Sequence, residues 1–262
     1  MSEFDSSPAA LASLVLAKGP GWLAIDKPDW MSVHNAGEHS IDALACARAI
    51  LDSDSALRAF VDAEPGFGPA PAHRLDVGVS GVLVLAVSRD GARRWAATLP
   101  QTNKIYVALA RGPGIASSVD WNWPLTDRAE GRRDPQGPRT LRKECVTHVR
   151  PLGALSTGSV SPAQKWFSTF EAELGTGRTH QIRRHAALAR VPLLGDRRYA
   201  EAKHADMLVE RYGFARLGLH ARRLIAPTAQ ANGLSIKPLQ IESAVPLSFT
   251  NILHAANVSA TS

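Results

Sequence analysis

Hydrophobic and polar positions fall into short blocks whose period changes repeatedly along the chain. Trp22-Leu23-Ala24-Ile25 is a strand-like run stopped at Asp26-Lys27-Pro28, because Pro28 has no N–H to give a ladder. Ile41, Leu44, Ala45, Arg48 and Leu51 recur at helical spacing behind Ser40, a good N-cap residue, and predict a helix of about three turns. From Gly81 to Ser88 the unbroken Val and Leu content predicts a strand buried on both faces. A helix follows over 89–99, stopped by Pro100, and then a strand over 104–110. Further strands are expected at 146–149 and 165–172, on either side of a Gly/Ser-rich turn, with closing strands at 217–224 and 238–242. Between them Thr179 is placed to cap a helix from Gln181 to Arg190 that ends before Val191-Pro192. Residues 1–20 are small, polar and loosely patterned and read as a flexible extension, 21–250 as one folded domain, and 251–262 as a C-terminal tail.

Composition narrows the class. The chain has 262 residues, 45% hydrophobic and 21% charged, which rules out a disordered or collagen-like protein. Its longest apolar stretches, Ala9 to Ala17 and Gly81 to Val87, fall well short of the roughly 20 residues of a membrane span. Glu3 and Asp5 stand where a secretory signal would carry basic residues, so the expectation is a soluble, cytoplasmic protein. Thirty Lys and Arg against 24 Asp and Glu leave a formal charge of +6, which favours polyanionic partners. Two cysteines, Cys46 and Cys145, are too few for a disulfide framework or a four-thiolate zinc site. The Gly- and Pro-rich stretch from Arg111 to Lys143 carries Arg128, Arg132, Arg133, Arg139, Arg142 and Lys143 and reads as a long exposed excursion, suited to RNA contact or to simple solvation.

Several chemistries are absent. There is no phosphate-binding G-x-x-x-x-G-K-[ST], no H-E-x-x-H and no G-x-S-x-G, no Rossmann fingerprint follows a strand, and the nine His residues lack metal-site spacing. What stands out is Asp76, directly before the buried strand and beside Arg74, and the dense run Arg178, Arg183, Arg184, Arg190, Arg197 and Arg198 with Asp196 as its acid. Such a run either splays into solvent or gathers around an anion. The Gly-x-Gly-Arg-Thr opening favours the second, since glycines let backbone approach a ligand and a helix start offers N–H groups to a phosphate or carboxylate.

His73-Arg74-Leu75-Asp76 with Ser80-Gly81, then Lys104-Ile-Tyr106, Gly177-Arg-Thr-His-Gln-Ile-Arg183, Leu194-Gly-Asp196 and Leu219-His-Ala221, together resemble the RluA family of RNA pseudouridine synthases, as does the opening Asp26-Lys27-Pro28. The motifs span residues 22 to about 225 in the family's order, with Trp30 near a position where the family usually has Gly and Val79 in place of the usual Thr. The stretch before Trp22 is expected to be too short for the S4 RNA-binding domain of many relatives. The resemblance implies an α+β catalytic domain with a mixed, largely antiparallel central sheet, flanked by helices and loops around an RNA-binding cleft. It implies conversion of a uridine to pseudouridine without metal or cofactor, on structured RNA and by a single chain without an obligate protein partner. Asp76 becomes the nucleophile, attacking the sugar or removing a sugar proton, with Arg183 as the cation that keeps it ionised and Tyr106 stacking on the base. RNA binding falls to Arg74, Lys104, Arg178, Thr179, His180, Gln181 and Arg184. Arg74 either fills the space of the extruded base or pairs with Asp76 in the free enzyme. The segments 146–151 and 202–204 resemble family members acting on transfer RNA, with large-subunit ribosomal RNA, or a non-catalytic RNA-binding module on the same fold, as the alternatives.

Overall fold

A computed structural model describes residues 7–34, 41–58, 67–112, 114–156, 166–227 and 238–261. The elements in chain order are α1 (Pro8–Ala12), β1 (Val15–Gly19), β2 (Trp22–Lys27), α2 (Ala43–Ser53), α3 (Ser55–Arg58), β3 (Ala70–Pro71), β4 (Ser80–Ala86), α4 (Arg89–Thr98), β5 (Asn103–Arg111), β6 (Val119–Trp121), β7 (Thr147–Ser156), β8 (Trp166–Leu174), α5 (Gln181–Leu188), α6 (Ala202–Tyr212), β9 (Leu219–Ala226), β10 (Leu239–Glu242) and α7 (Leu247–Thr261). Strand pairings are antiparallel within both compact units, one formed by 1–102 with 221–243 and the other by 103–220 with 244–262, so the chain is of the α+β class. No helix among the described residues is long and apolar enough to cross a membrane.

In the first unit β1, β2 and β4 lie side by side, β3 pairs with β4, and β9 lies next to β4 with β10 beyond it. Every residue of β4 is buried, as its unbroken apolar run requires. Ala24, Val82, Val84, Leu224, Ala226 and Ile241 pack around Trp95 of α4, whose N-terminus is capped by Ser88 Oγ accepting from Gly91 N at 3.0 Å. The cap of α2 is Asp42, whose carboxylate accepts from Ala45 N at 2.7 Å; Ser40 lies outside the described residues. The expected extension at 1–20 is corrected for the described part. Ser7 caps α1, Leu11 is buried, and β1 runs antiparallel to β2 with Gly19 opposite Trp22. That strand owes its place to long-range pairing, which its four small or aliphatic residues and one Lys do not advertise as a pattern.

The second unit is the antiparallel set β5–β8–β7–β6, with Leu109, Phe167, Leu194, Leu208, Phe214, Phe249 and Ile252 forming its core. Phe249 and Ile252 belong to α7, so the segment expected as a tail is instead a helix whose first turns are core. Helix α5 stops at Leu188, two residues before the expected end. Val191 N donates to Ala186 O and Arg190 N to Ala187 O, with Arg190 left-handed at φ 61°, a closing pattern usually given to glycine. The Gly/Ser-rich turn between β7 and β8 lies outside the described residues.

Candidate active site

Asp76 and Arg74 belong to the first unit. His73 Nε2 accepts from Val84 N at 3.2 Å and Leu75 is buried, so the segment is fixed on the side of β4 while Arg74 is exposed and Asp76 half-buried. Asp76 opens a tight turn: its carbonyl accepts from Val79 N at 3.1 Å, and Gly78, at the turn's third position, takes φ 91°, which a side chain would resist. Gly78 N in turn donates to Asp29 O at 2.8 Å. The turn bearing Asp76 is thereby tied to the turn after β2. That second turn is held by Lys27, a fully buried lysine whose ammonium donates to Pro28 O at 2.8 Å and Met31 O at 2.7 Å.

Lys104, Tyr106 and the segment from Gly175 to Arg184 belong to the second unit. Lys104 and Tyr106 are two apart on β5 and share one face of it, opposite Leu174 and Ala172 of β8. Tyr106 is buried, and desolvation pulls the Lys104 ammonium below its ordinary range.

The loop into α5 departs from the expectation in detail. Thr179 does not cap the helix: its hydroxyl donates to Asp127 O at 2.7 Å, and His180 holds the N-cap position in a left-handed conformation, φ 55°, its Nδ1 3.0 Å from the Tyr199 hydroxyl. Gln181 is buried and its amide is spent within the fold. Its Oε1 accepts from Thr176 Oγ1 at 2.7 Å and Arg178 N at 3.0 Å, while Nε2 donates to Val146 O at 2.8 Å and Thr147 Oγ1 at 3.0 Å. Gln181 therefore welds the loop to β7 and is not an RNA-reading residue. Arg178 binds the Asp127 carboxylate at 2.7 Å, and Lys143, with this guanidinium, holds that carboxyl below its usual range.

The two arginines closing the motif have opposite environments. Arg183 makes a two-pronged bond to Asp196, Nε to Oδ2 at 2.8 Å and Nη2 to Oδ1 at 3.0 Å, and its guanidinium lies 5.2 Å from the centre of the Tyr199 ring. Asp196 is itself buried and accepts from Arg198 N at 2.9 Å and Tyr199 N at 3.0 Å. Gly195 makes this possible, since at φ 71° any Cβ would sit 1.9 Å from Arg216 O. Arg184 is completely buried. It donates to the carbonyls of Thr126 (2.7 Å), Arg128 (3.0 Å), Pro135 (2.5 Å), Gln136 (3.1 Å) and Thr179 (3.2 Å) and to Thr126 Oγ1 at 2.9 Å. It cannot reach a phosphate, and its assignment to RNA binding is corrected. The dense arginine run disperses along separate contacts, Arg197 to Asp206 at 2.6 Å and Arg198 Nε to Glu130 O at 2.8 Å among them.

Arg184 also explains the basic excursion, which is folded rather than loosely exposed: five carbonyls, four of them from residues 126–136, converge on one guanidinium. Leu125 and Lys143 exchange backbone hydrogen bonds at 3.0 and 2.9 Å to close it. Beside it His185 is fully buried, Nε2 donating to Trp123 O at 2.9 Å and Nδ1 accepting from Thr147 Oγ1 at 2.9 Å. Burial lowers its pKa to about 4, so it is a neutral structural residue. Asp196, Tyr199 and Lys27 are the residues motif reading left without a role. Asp196 had a signal, being the lone acid among six arginines. No group of three or more His, Cys, Asp or Glu placed to hold a metal ion occurs among the described residues.

The profile of the RNA pseudouridylate synthase family matches residues 21–188. The chain belongs to this family and is an RNA pseudouridine synthase, an isomerase acting on RNA. It is 30% identical over 223 residues to tRNA pseudouridine synthase C of Salmonella typhi, covering 80% of this chain and 78% of that protein. To the protein of the same name from Haemophilus ducreyi it is 29% identical over 216 residues, covering 80% and 83%. Its fold is similar to that of human RNA pseudouridylate synthase domain containing 4, with a TM-score of 0.67 at 22% identity over 95% of each chain. Human RNA pseudouridylate synthase domain containing 1 is similar at a TM-score of 0.61, 22% identity, over 88% and 83%.

Proposed function

We propose that the chain converts one uridine of a transfer RNA to pseudouridine, with Asp76 as the nucleophile. The similarity over four fifths of the chain to proteins named tRNA pseudouridine synthase C carries the choice of transfer RNA. The N1–C1′ bond breaks, the uracil turns, and C5 bonds to C1′ while C5 loses a proton and N1 gains one. Attack on C1′ and removal of a sugar proton both begin from the same carboxylate, which must stay ionised beside an apolar base. Arg183 supplies the countercharge in this reading. Its two bonds to Asp196 use two of its five N–H groups and fix the plane of the guanidinium. Tyr106 stacks on the uracil, and Arg74, exposed beside Asp76, occupies the place of the extruded base. Lys104, Arg178, Thr179 and His180 remain the groups proposed to meet the RNA.

The enzyme needs no cofactor in this reading, acts as a single chain without an obligate protein partner, and works in the cytoplasm, in keeping with two buried, unbridged cysteines. The test is to incubate the purified protein with unmodified total transfer RNA and, separately, with large-subunit ribosomal RNA fragments, and to quantify pseudouridine by nucleoside chromatography. Pseudouridine in transfer RNA that disappears with Asp76→Asn is the expected result. Product confined to the ribosomal fragments would overturn the choice of substrate, and product from the Asn variant would overturn the role of Asp76.

A further inference from the structure

We propose that, on the reading in which His180 meets RNA and Arg183 provides the countercharge, Tyr199 is the positioning residue for both: its hydroxyl orients the imidazole and its ring fixes the guanidinium. Tyr199 is buried. A buried phenol needs a partner for its hydroxyl, and here that partner is His180 Nδ1 at 3.0 Å. Burial holds the phenol above its ordinary range against the pull of Arg184, Arg183 and Arg198, so the hydroxyl keeps its proton.

His180 at the N-cap and Arg183 in the first turn of α5 are neighbours at the start of one helix. The backbone of His180 is fixed without the tyrosine. Arg184 N donates to His180 O at 2.9 Å and Arg184 Nη1 to Thr179 O at 3.2 Å, and a residue with a side chain keeps a left-handed φ of 55° only where its surroundings impose it. These bonds do not set the torsions of the imidazole. The Tyr199 hydroxyl does, together with an edge-on ring contact whose centres lie 5.7 Å apart at 80°. For Arg183, two bonds to one carboxylate define the guanidinium plane but let it rock about the line joining the two groups. The Tyr199 ring, its centre 5.2 Å from the guanidinium carbon, removes that motion. Tyr199 is tied to the same fork, since its N–H donates at 3.0 Å to Asp196 Oδ1, the oxygen that also accepts from Arg183 Nη2. Arg198, 5.9 Å from the ring centre and bonded to Glu130 O at 2.8 Å, joins the ring to the folded excursion. Any displacement of this ring therefore reaches His180 and Arg183 at once.

The experiment compares wild type with Tyr199→Phe, Tyr199→Leu, His180→Ala and the double variant carrying His180→Ala and Tyr199→Phe, on unmodified transfer RNA transcripts. Equilibrium binding and the single-turnover rate at saturating RNA are measured, with thermal denaturation to check folding. Tyr199→Phe loses one hydrogen bond and keeps the ring, so binding should weaken about 3- to 10-fold while the saturated rate stays within about 3-fold of wild type. Tyr199→Leu loses the ring as well, and its saturated rate should fall about 10-fold or more below that of Tyr199→Phe. Because His180→Ala and Tyr199→Phe break the same bond, their effects on binding should fall well short of additive. A tyrosine that only fills space would depress melting temperature, rate and binding together and show no coupling to His180. Tyr199→Phe binding within about 2-fold of wild type, additive losses in the double variant, or a Tyr199→Leu rate equal to that of Tyr199→Phe would each overturn the proposal. If Tyr199→Leu does not fold, the cycle of Tyr199→Phe with His180→Ala still decides. Wild-type binding by His180→Ala overturns the RNA role of His180 and the proposal with it, whereas impaired His180→Ala beside normal Tyr199→Phe overturns the positioning role alone.

Discussion

Replacing Arg184 by Lys separates a phosphate-binding arginine from a structural one. At a solvent-facing phosphate site the exchange would cost little stability and keep the charge. Inside the carbonyl cage it cannot succeed, since an ammonium has three donors on a round head where a planar fork now serves five carbonyls and a hydroxyl. At least two of those acceptors lose their donor, at about 1–3 kcal/mol for each buried group left unsatisfied. The expected loss is therefore about 3–5 kcal/mol, the range for breaking a buried charge network. Arg184→Met should fall at or beyond the upper end. Urea denaturation followed by far-UV circular dichroism gives the stability, and RNA affinity measured at several salt concentrations, under conditions where the variant is folded, gives the electrostatic contribution. The log-log salt slope should match wild type, because no phosphate contact is removed. An Arg184→Lys protein within 1 kcal/mol of wild type in stability, or an Arg184→Met protein whose slope falls by about one unit, would refute the cage as the residue's purpose.

His185 makes stability depend on pH. Its folded pKa of about 4 lies below the ordinary 6.5, so the contribution is fully present above 6.5 and is lost as the pH falls toward 4, by up to about 3 kcal/mol; urea midpoints at stepped pH should show the loss in wild type and much less of it in His185→Gln. Asp196→Asn leaves the Arg183 fork with one anionic partner fewer, and turnover should fall about 10-fold or more while RNA affinity changes little, as measured by single-turnover kinetics beside equilibrium binding. Arg128, Arg133 and Arg139 are exposed on the folded excursion, and neutralising Arg128 and Arg133 together should flatten the salt slope of RNA binding by about one to two units; an unchanged slope would make them solvated charges.

The places of elements along the chain are legible where hydrophobic runs are long: β2, β4, α4, β5 and β8 sit within a few residues of their expected places. Elements fixed by distant partners were not legible. β1 exists because β2 offers it an edge, and α7 because Phe249 and Ile252 join the core that holds Leu109 and Phe214. The same division runs through the site. Motif chemistry singles out Asp76, Tyr106, Arg183 and Arg184 together, but only contact with carbonyls 48 to 58 residues away in sequence tells Arg184 from Arg183. Gln181 is ambiguous in sequence for a similar reason, since a polar side chain in a motif is equally suited to binding a ligand or to binding its own backbone.

The division of the chain into 1–102 with 221–243 and 103–220 with 244–262 bears on biosynthesis. Neither unit is a continuous stretch, so neither can be finished while the polypeptide is still short. At about 5–20 residues per second, the wholly buried β4 waits roughly 7–28 s after its own synthesis before β9, its neighbour in the first unit, has been made. Over that interval a seven-residue Val- and Leu-rich edge stands without its eventual cover, the kind of surface that chaperones hold and that overexpression turns into inclusion bodies. Holdase supply during synthesis is the lever for producing this protein, because slower elongation would only lengthen the interval before β9 arrives.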